Sequence, residues 1–160
     1  GITNGKANGL FGSNDPCTRG QIVTFLWRAA GSPAPKGTVT VPTDVLPGSY
    51  CYNAVAWAIE NGITNGLADG SFGAGGACTR AQCVALLFRS AVANGLEAVT
   101  LQDLISGFGD ATELPAYAVP AMNWALSNGI VQGNGGLLLS NTSCTRAQIV
   151  TFLYRAYQGK

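Results

Sequence analysis

Cys78-Thr79-Arg80-Ala81-Gln82 decides the reading of this chain, because the same pattern stands at Cys17-Thr18-Arg19-Gly20-Gln21 and at Cys144-Thr145-Arg146-Ala147-Gln148. Thr79 followed by Gln82 is a capping box, which starts a helix by satisfying two backbone N–H groups at once. Apolar residues then recur at 22, 25, 26 and 29, at 83, 86 and 87, and at 149, 152, 153 and 156. That spacing is one helical face turned to a core. Each run ends in an aromatic-Arg pair: Trp27-Arg28, Phe88-Arg89 and Tyr154-Arg155. The residue before each cap and the fourth helical position make a hydrophobic staple: Cys17 with Ile22, Cys78 with Cys83, Cys144 with Ile149.

Upstream lies a second echo: Gly1-Ile2-Thr3-Asn4-Gly5, Gly62-Ile63-Thr64-Asn65-Gly66 and Gly129-Ile130-Val131-Gln132-Gly133. The internal repeat is therefore 61 to 67 residues long, and function belongs in what the copies share. A first helix precedes this echo in two copies, over Tyr50 to Asn61 and over Pro115 to Asn128, each closed by Asn-Gly. The first copy starts at the glycine that should end this helix, so it is expected to be a half unit whose natural beginning is missing. Gly-rich loops join the helices, with Ile63 and Phe72 as anchors. The expected fold is all-α, with a half repeat at 1–32, a linker at 33–42, a complete repeat at 43–92, a linker at 93–107 and a complete repeat at 108–160, together one domain. Gly31 to Pro42 is expected as an extended surface link, and Thr100 to Gly107 as an extra helical turn.

Bulk composition excludes several functions. Charged residues are 11 % of the chain and the net charge is +1, too weak a field for steering nucleic acid. No apolar run reaches the roughly 18 residues of a membrane span. There is no histidine, and no nucleophile-base constellation or phosphate-loop motif, so an enzyme is not expected and no cofactor is implied. Cys-x-x-Cys is absent, which argues against a metal site. Cys78 and Cys83 read either as a disulfide or as two buried thiols in apolar contact.

The residues resemble the S-layer homology family. Phe108-Gly109-Asp110, then Ala121-Met122-Asn123-Trp124-Ala125, resemble its opening and first-helix pattern. Gly129-Ile130-Val131-Gln132-Gly133, Asp69-Gly70-Ser71-Phe72 and the Thr-Arg-Ala-Gln stretches resemble its later segments. The resemblance implies a pseudo-threefold bundle at a bacterial surface, outside the cell, whose inter-repeat grooves bind an anionic, often pyruvylated, wall polysaccharide. Carried over residue by residue, it marks Arg19, Arg80 and Arg146, Trp57 and Trp124, Asp44 and Asp110, and the loop acid Asp69, as ligand-binding candidates. Gln replaces the signature Glu in all three copies, and the third copy lacks the loop acid. With one first helix missing, two grooves are complete unless a partner, or a second copy of the chain, supplies that helix.

Two readings of these residues stay open. Each first-turn Arg sits against the positive helix end at a cost of about 0.3–1 kcal/mol. It either bridges to an acid on a neighbouring repeat or, beside free helix N–H groups, captures a sugar acid. Trp57 and Trp124 are either core or stacking platforms for sugar. Arg28, Arg89 and Arg155, nine residues further along, suit the negative helix end and read as structural.

Overall fold

The computed structural model describes residues 1–96 and 102–157. Among these the chain is all-α, with α1 (Arg19–Ala29), α2 (Tyr52–Glu60), α3 (Arg80–Ala93), α4 (Val119–Ser127) and α5 (Arg146–Tyr157), plus short 3₁₀ turns and isolated β-bridges. The capping boxes form as the sequence requires. Gln21 N–H donates to Thr18 Oγ1 and Thr18 N–H to Gln21 Oε1, both at 3.3 Å. Thr79 with Gln82 and Thr145 with Gln148 repeat the exchange at 2.9–3.2 Å.

The first helices are shorter than expected. The segment Tyr50 to Asn61 is helical from Tyr52 to Glu60. In the third copy the predicted Pro115–Asn128 helix begins as a 3₁₀ turn over Ala116–Ala118 and becomes α only at Val119, with Pro120 in its first turn. Proline has no N–H to give and is tolerated only there. The extra turn is observed at Ile105–Gly107, and Asp103 just ahead of it accepts at Oδ1 from Ile105 and Ser106 N–H. Thr100 and Leu101, where it was expected to open, lie outside the described residues. The Gly31–Pro42 link is unstructured but tied: Glu60 accepts from Lys36 and Thr38 N–H, and Trp27 Nε1 donates to the Pro33 carbonyl.

The three copies meet at their cysteines. Cys17 N–H donates to the Cys144 carbonyl (2.8 Å), Cys144 N–H to Cys78 (2.8 Å) and Cys78 N–H to Cys17 (3.0 Å), a closed ring of backbone bonds. The helix heads close a second ring, in the opposite cyclic sense. Arg19 and Gly20 N–H donate to Gly76 and Ala74, Arg80 and Ala81 to Thr142 and Ser140, Arg146 and Ala147 to Asp15 and Ser13. Each second helix thus plants its head in the glycine-rich loop of another copy. The helix N–H groups expected to be free for a ligand are taken by these loops, since buried backbone donors must find partners.

The core lies between the helices. α1 packs on α2 and α3 on α4. Ile22, Leu26, Ile63, Phe72, Met122 and Leu153 are fully buried, each side chain contributing roughly 1.5–3 kcal/mol of transfer free energy. All five cysteines are buried and unbridged, so Cys78 and Cys83 are two thiols rather than a disulfide. Burial pushes the Cys17 thiol up to about 12. Gly66 carries φ +81°, and a Cβ there would stand 2.8 Å from the Ser71 carbonyl. Only glycine allows the loop to close on itself at that point.

Candidate functional site

All six arginines of the chain occupy two repeat positions, at the heads (19, 80, 146) and tails (28, 89, 155) of the second helices. The head arginines are buried, at 9 %, 7 % and 4 % exposure. Each Nε–H donates to a loop carbonyl of another copy: Arg19 to Phe72 (2.9 Å), Arg80 to Leu138 (3.0 Å), Arg146 to Phe11 (2.9 Å). Each guanidinium also lies over a phenyl ring, at 5.0 Å on Phe72, 5.1 Å on Phe152 and 5.1 Å on Phe11. The tail arginines donate to the loop isoleucine of their own copy: Arg28 to Ile2, Arg89 to Ile63, Arg155 to Ile130.

Among the described residues no arginine is paired with a carboxylate. Among the described residues the single ion pair is Lys6 with Asp15, on the surface. Carbonyl partners engage one nitrogen of each guanidinium without cancelling its charge. The acid-bridge reading of the head arginines therefore fails on its own terms, because the expected acids are engaged elsewhere. Asp44 accepts from Phe72 and Gly73 N–H (2.9 and 2.8 Å), and Asp110 from Leu138 and Leu139 N–H (2.7 and 2.8 Å). The Phe72 N–H holds the Asp44 carboxyl below its ordinary range, helped by Gly73. The same residues, Phe72 and Leu138, face an aspartate with their N–H and an arginine with their C=O. Asp44 and Asp110 thus brace the loop that orients the arginine. Asp69 makes a local turn instead, accepting from the Ser71 N–H and hydroxyl.

Head and tail meet across copies. Arg80 and Arg155 line one cleft of about 270 Å³ with Gln132, Gly133, Gln148 and Phe152. In the corresponding place Arg19 donates to Thr64 Oγ1 (3.4 Å) while Arg89 bonds the adjacent Ile63. Arg146 donates to Thr3 Oγ1 (3.3 Å) while Arg28 bonds Ile2. Burial draws the Arg80 guanidinium down, with Cys144, Cys83 and Asp110 opposing.

Trp57 and Trp124 are core residues at 6 % and 4 % exposure, and Trp124 packs on Phe88 with ring centroids 5.5 Å apart. Tyr50 and Tyr117, each seven residues before one of these tryptophans, are exposed, at 61 % and 50 %. The Tyr117 hydroxyl is raised by desolvation first, and lies within electrostatic reach of Arg89, Thr79 and Arg19. The Tyr50 hydroxyl stands over the head of α1, where a Cβ on Gly20 would lie 2.6 Å from it. The shared seven-residue offset from each Trp was the available sequence signal. Among the described residues no cluster of His, Cys, Asp or Glu suits a metal ion, and no helix is long and apolar enough to cross a membrane.

The model of the S-layer homology domain matches residues 1–23, 43–82 and 107–150. The chain belongs to the S-layer homology domain family, whose members are cell-wall anchoring modules at the bacterial cell surface. It is similar to a surface-layer 125 kDa protein of Lysinibacillus sphaericus, with 27 % identity over 99 % of this chain. The chain spans 13 % of that relative's length.

Proposed function

We propose that the chain is a non-catalytic anchor that holds an anionic secondary cell-wall polysaccharide in the grooves between its copies. The carrying observation is the set of six arginines with no carboxylate in ion-pair range among the described residues. Three head-tail pairs, Arg19 with Arg89, Arg80 with Arg155 and Arg146 with Arg28, each offer two positive groups to one acid. A guanidinium suits a sugar carboxylate or a pyruvate ketal, which it binds by charge-assisted hydrogen bonds. Tyr50 and Tyr117 offer exposed rings to the apolar face of a sugar, while Trp57 and Trp124 hold the groove wall from behind. Asp44 and Asp110 serve by bracing the loops.

Co-sedimentation with purified wall polymer tests this, before and after chemical removal of the acidic substituents. Retention should require the acids and weaken with salt. Equal binding of the neutralised polymer would sink the reading.

A second reading rests on α5. No described helix packs on it as α2 packs on α1 and α4 on α3, and Tyr154 is 63 % exposed. A partner helix on this face would make the chain an assembly module. Light scattering across a concentration series separates the two: a monomer that still retains polymer rules this second reading out.

A further inference from the structure

The three grooves are not chemically equal, and a single side chain sets the difference. In two of them a threonine hydroxyl accepts from the end of the head guanidinium: Thr64 from Arg19 and Thr3 from Arg146. The matching residue in the third is Val131, buried at 1 % exposure. Valine accepts nothing. Arg80 therefore spends its Nε on Leu138, and its two terminal nitrogens have no hydrogen-bond partner among the described residues. They belong to a residue that is 7 % exposed and that lines the cleft shared with Arg155.

We propose that the Arg80–Arg155 cleft is the dominant carboxylate site of the chain, and that Val131 is the residue that makes it so by leaving the Arg80 fork open for bidentate binding. The inference rests on the anionic-glycan reading above and names the groove and the ligand chemistry within it. Two parallel N–H···O bonds to one carboxylate are strong and directional, and a threonine that already engages one terminal nitrogen of the fork competes with one of them. A cleft of about 270 Å³ lies at the small end of ligand pockets, so it takes one acidic sugar rather than an oligosaccharide. Gln132 and Gln148 line the same cleft and supply neutral amide groups for ring hydroxyls. Neither brings a competing charge.

The test is a titration of the whole chain with methyl β-glucuronide, followed through the arginine side-chain N–H signals in ¹⁵N-correlated spectra. The Arg80 signal should move first and saturate at the lowest concentration. Val131→Thr should weaken that transition about tenfold, the loss of one charge-assisted bond, with the Arg19 and Arg146 signals unchanged. Arg155→Gln should weaken it similarly, and Arg89→Gln should not. Early movement of Arg19 or Arg146, or a Val131→Thr variant that binds like the parent, overturns the assignment while leaving the anchoring function standing if acidic wall polymer is still retained. If neither the glucuronide nor the polymer binds, both fall together.

Discussion

Replacing Arg19 by methionine keeps much of the side chain's bulk and removes its charge. The change deletes the Nε bond to the Phe72 carbonyl at 2.9 Å, the longer contact to Thr64 at 3.4 Å and the ring contact at 5.0 Å. A hydrogen bond from a charged donor is worth about 1.5–3 kcal/mol, and a partly desolvated cation–π contact about 0.5–2 kcal/mol. Against that, methionine removes a cation from a site at 9 % exposure. That returns part of a desolvation cost that reaches several kcal/mol per ion when burial is complete. The bonds to Phe72 and Thr64 already offset part of that cost in the folded chain, so a net loss of roughly 1–3 kcal/mol remains. For a chain of this size each kcal/mol shifts the melting temperature by about 2–4 °C, so calorimetry should show a fall of roughly 2–12 °C. Arg19→Lys, which keeps the charge but loses the planar fork, should fall in between. An unchanged or raised melting temperature for Arg19→Met would refute the reasoning. It would mean that the loop of the second copy is not fastened to the head of α1 through this side chain.

Other expectations follow from the same geometry. Gly66→Ala should destabilise by roughly 1–3 kcal/mol, since it strains a left-handed residue and drives a Cβ to 2.8 Å from the Ser71 carbonyl; Gly70→Ala, with φ +83° but open space around it, should cost less in the same urea titration. Asp44 is held below its ordinary 3.8, so its contribution is present above that value and is lost as pH falls through the lower folded value. Acid unfolding followed by circular dichroism should begin below about pH 4, and Asp44→Asn should be less sensitive to acid than the parent. Cys17 runs the other way. Its thiol is raised from 9.0 to about 12, so stability present below pH 9 should decline as pH climbs toward 12, and Cys17→Ala should flatten that decline. Trp124→Ala should cost about 3–5 kcal/mol as a core deletion, which urea denaturation will measure.

Much of this fold is written locally. The capping boxes at Thr18, Thr79 and Thr145 name the helix starts, and the Asn-Gly pairs name the ends of the first helices, because each rests on contacts within a few residues. What the sequence conceals is which side of a helix faces outward when nearly all of it is buried. Ala54, Val55, Ala56, Trp57 and Ala58 are consecutive buried residues, so periodicity cannot assign Trp57 to core or groove. Tyr50, just ahead of α2, is the ring that reaches solvent. The bracing role of the aspartates spans 28 residues, from Asp44 to Phe72 and from Asp110 to Leu138. That equal spacing is visible in the chain, but its meaning depends on the loop folding back. The helix-end argument for the tail arginines holds within one helix. It misses that the tail of α5 and the head of α3 close on one cleft.

The glutamine of the capping box gives the clearest reason for a charge left standing. Gln21, Gln82 and Gln148 each accept the cap N–H through Oε1, at 3.3, 3.0 and 2.9 Å. A glutamate would accept the same bond and would favour the helix start further through the macrodipole. It would also bring a carboxylate to the groove, since Gln148 and Arg80 line the same cleft. At an effective dielectric near 20, opposite charges about 4 Å apart attract by about 4 kcal/mol, enough to compete with an incoming acid for the guanidinium. Glutamine keeps the helix start and leaves that attraction to the ligand. The aspartates are drawn off in the same direction, each with both oxygens on loop N–H groups. Gln148→Glu should therefore preserve the fold and raise the melting temperature slightly, while weakening acidic-glycan binding at the Arg80 cleft. Unchanged glycan affinity in that variant, measured by calorimetric titration, would show that the positive charge of the groove is not what holds the polymer.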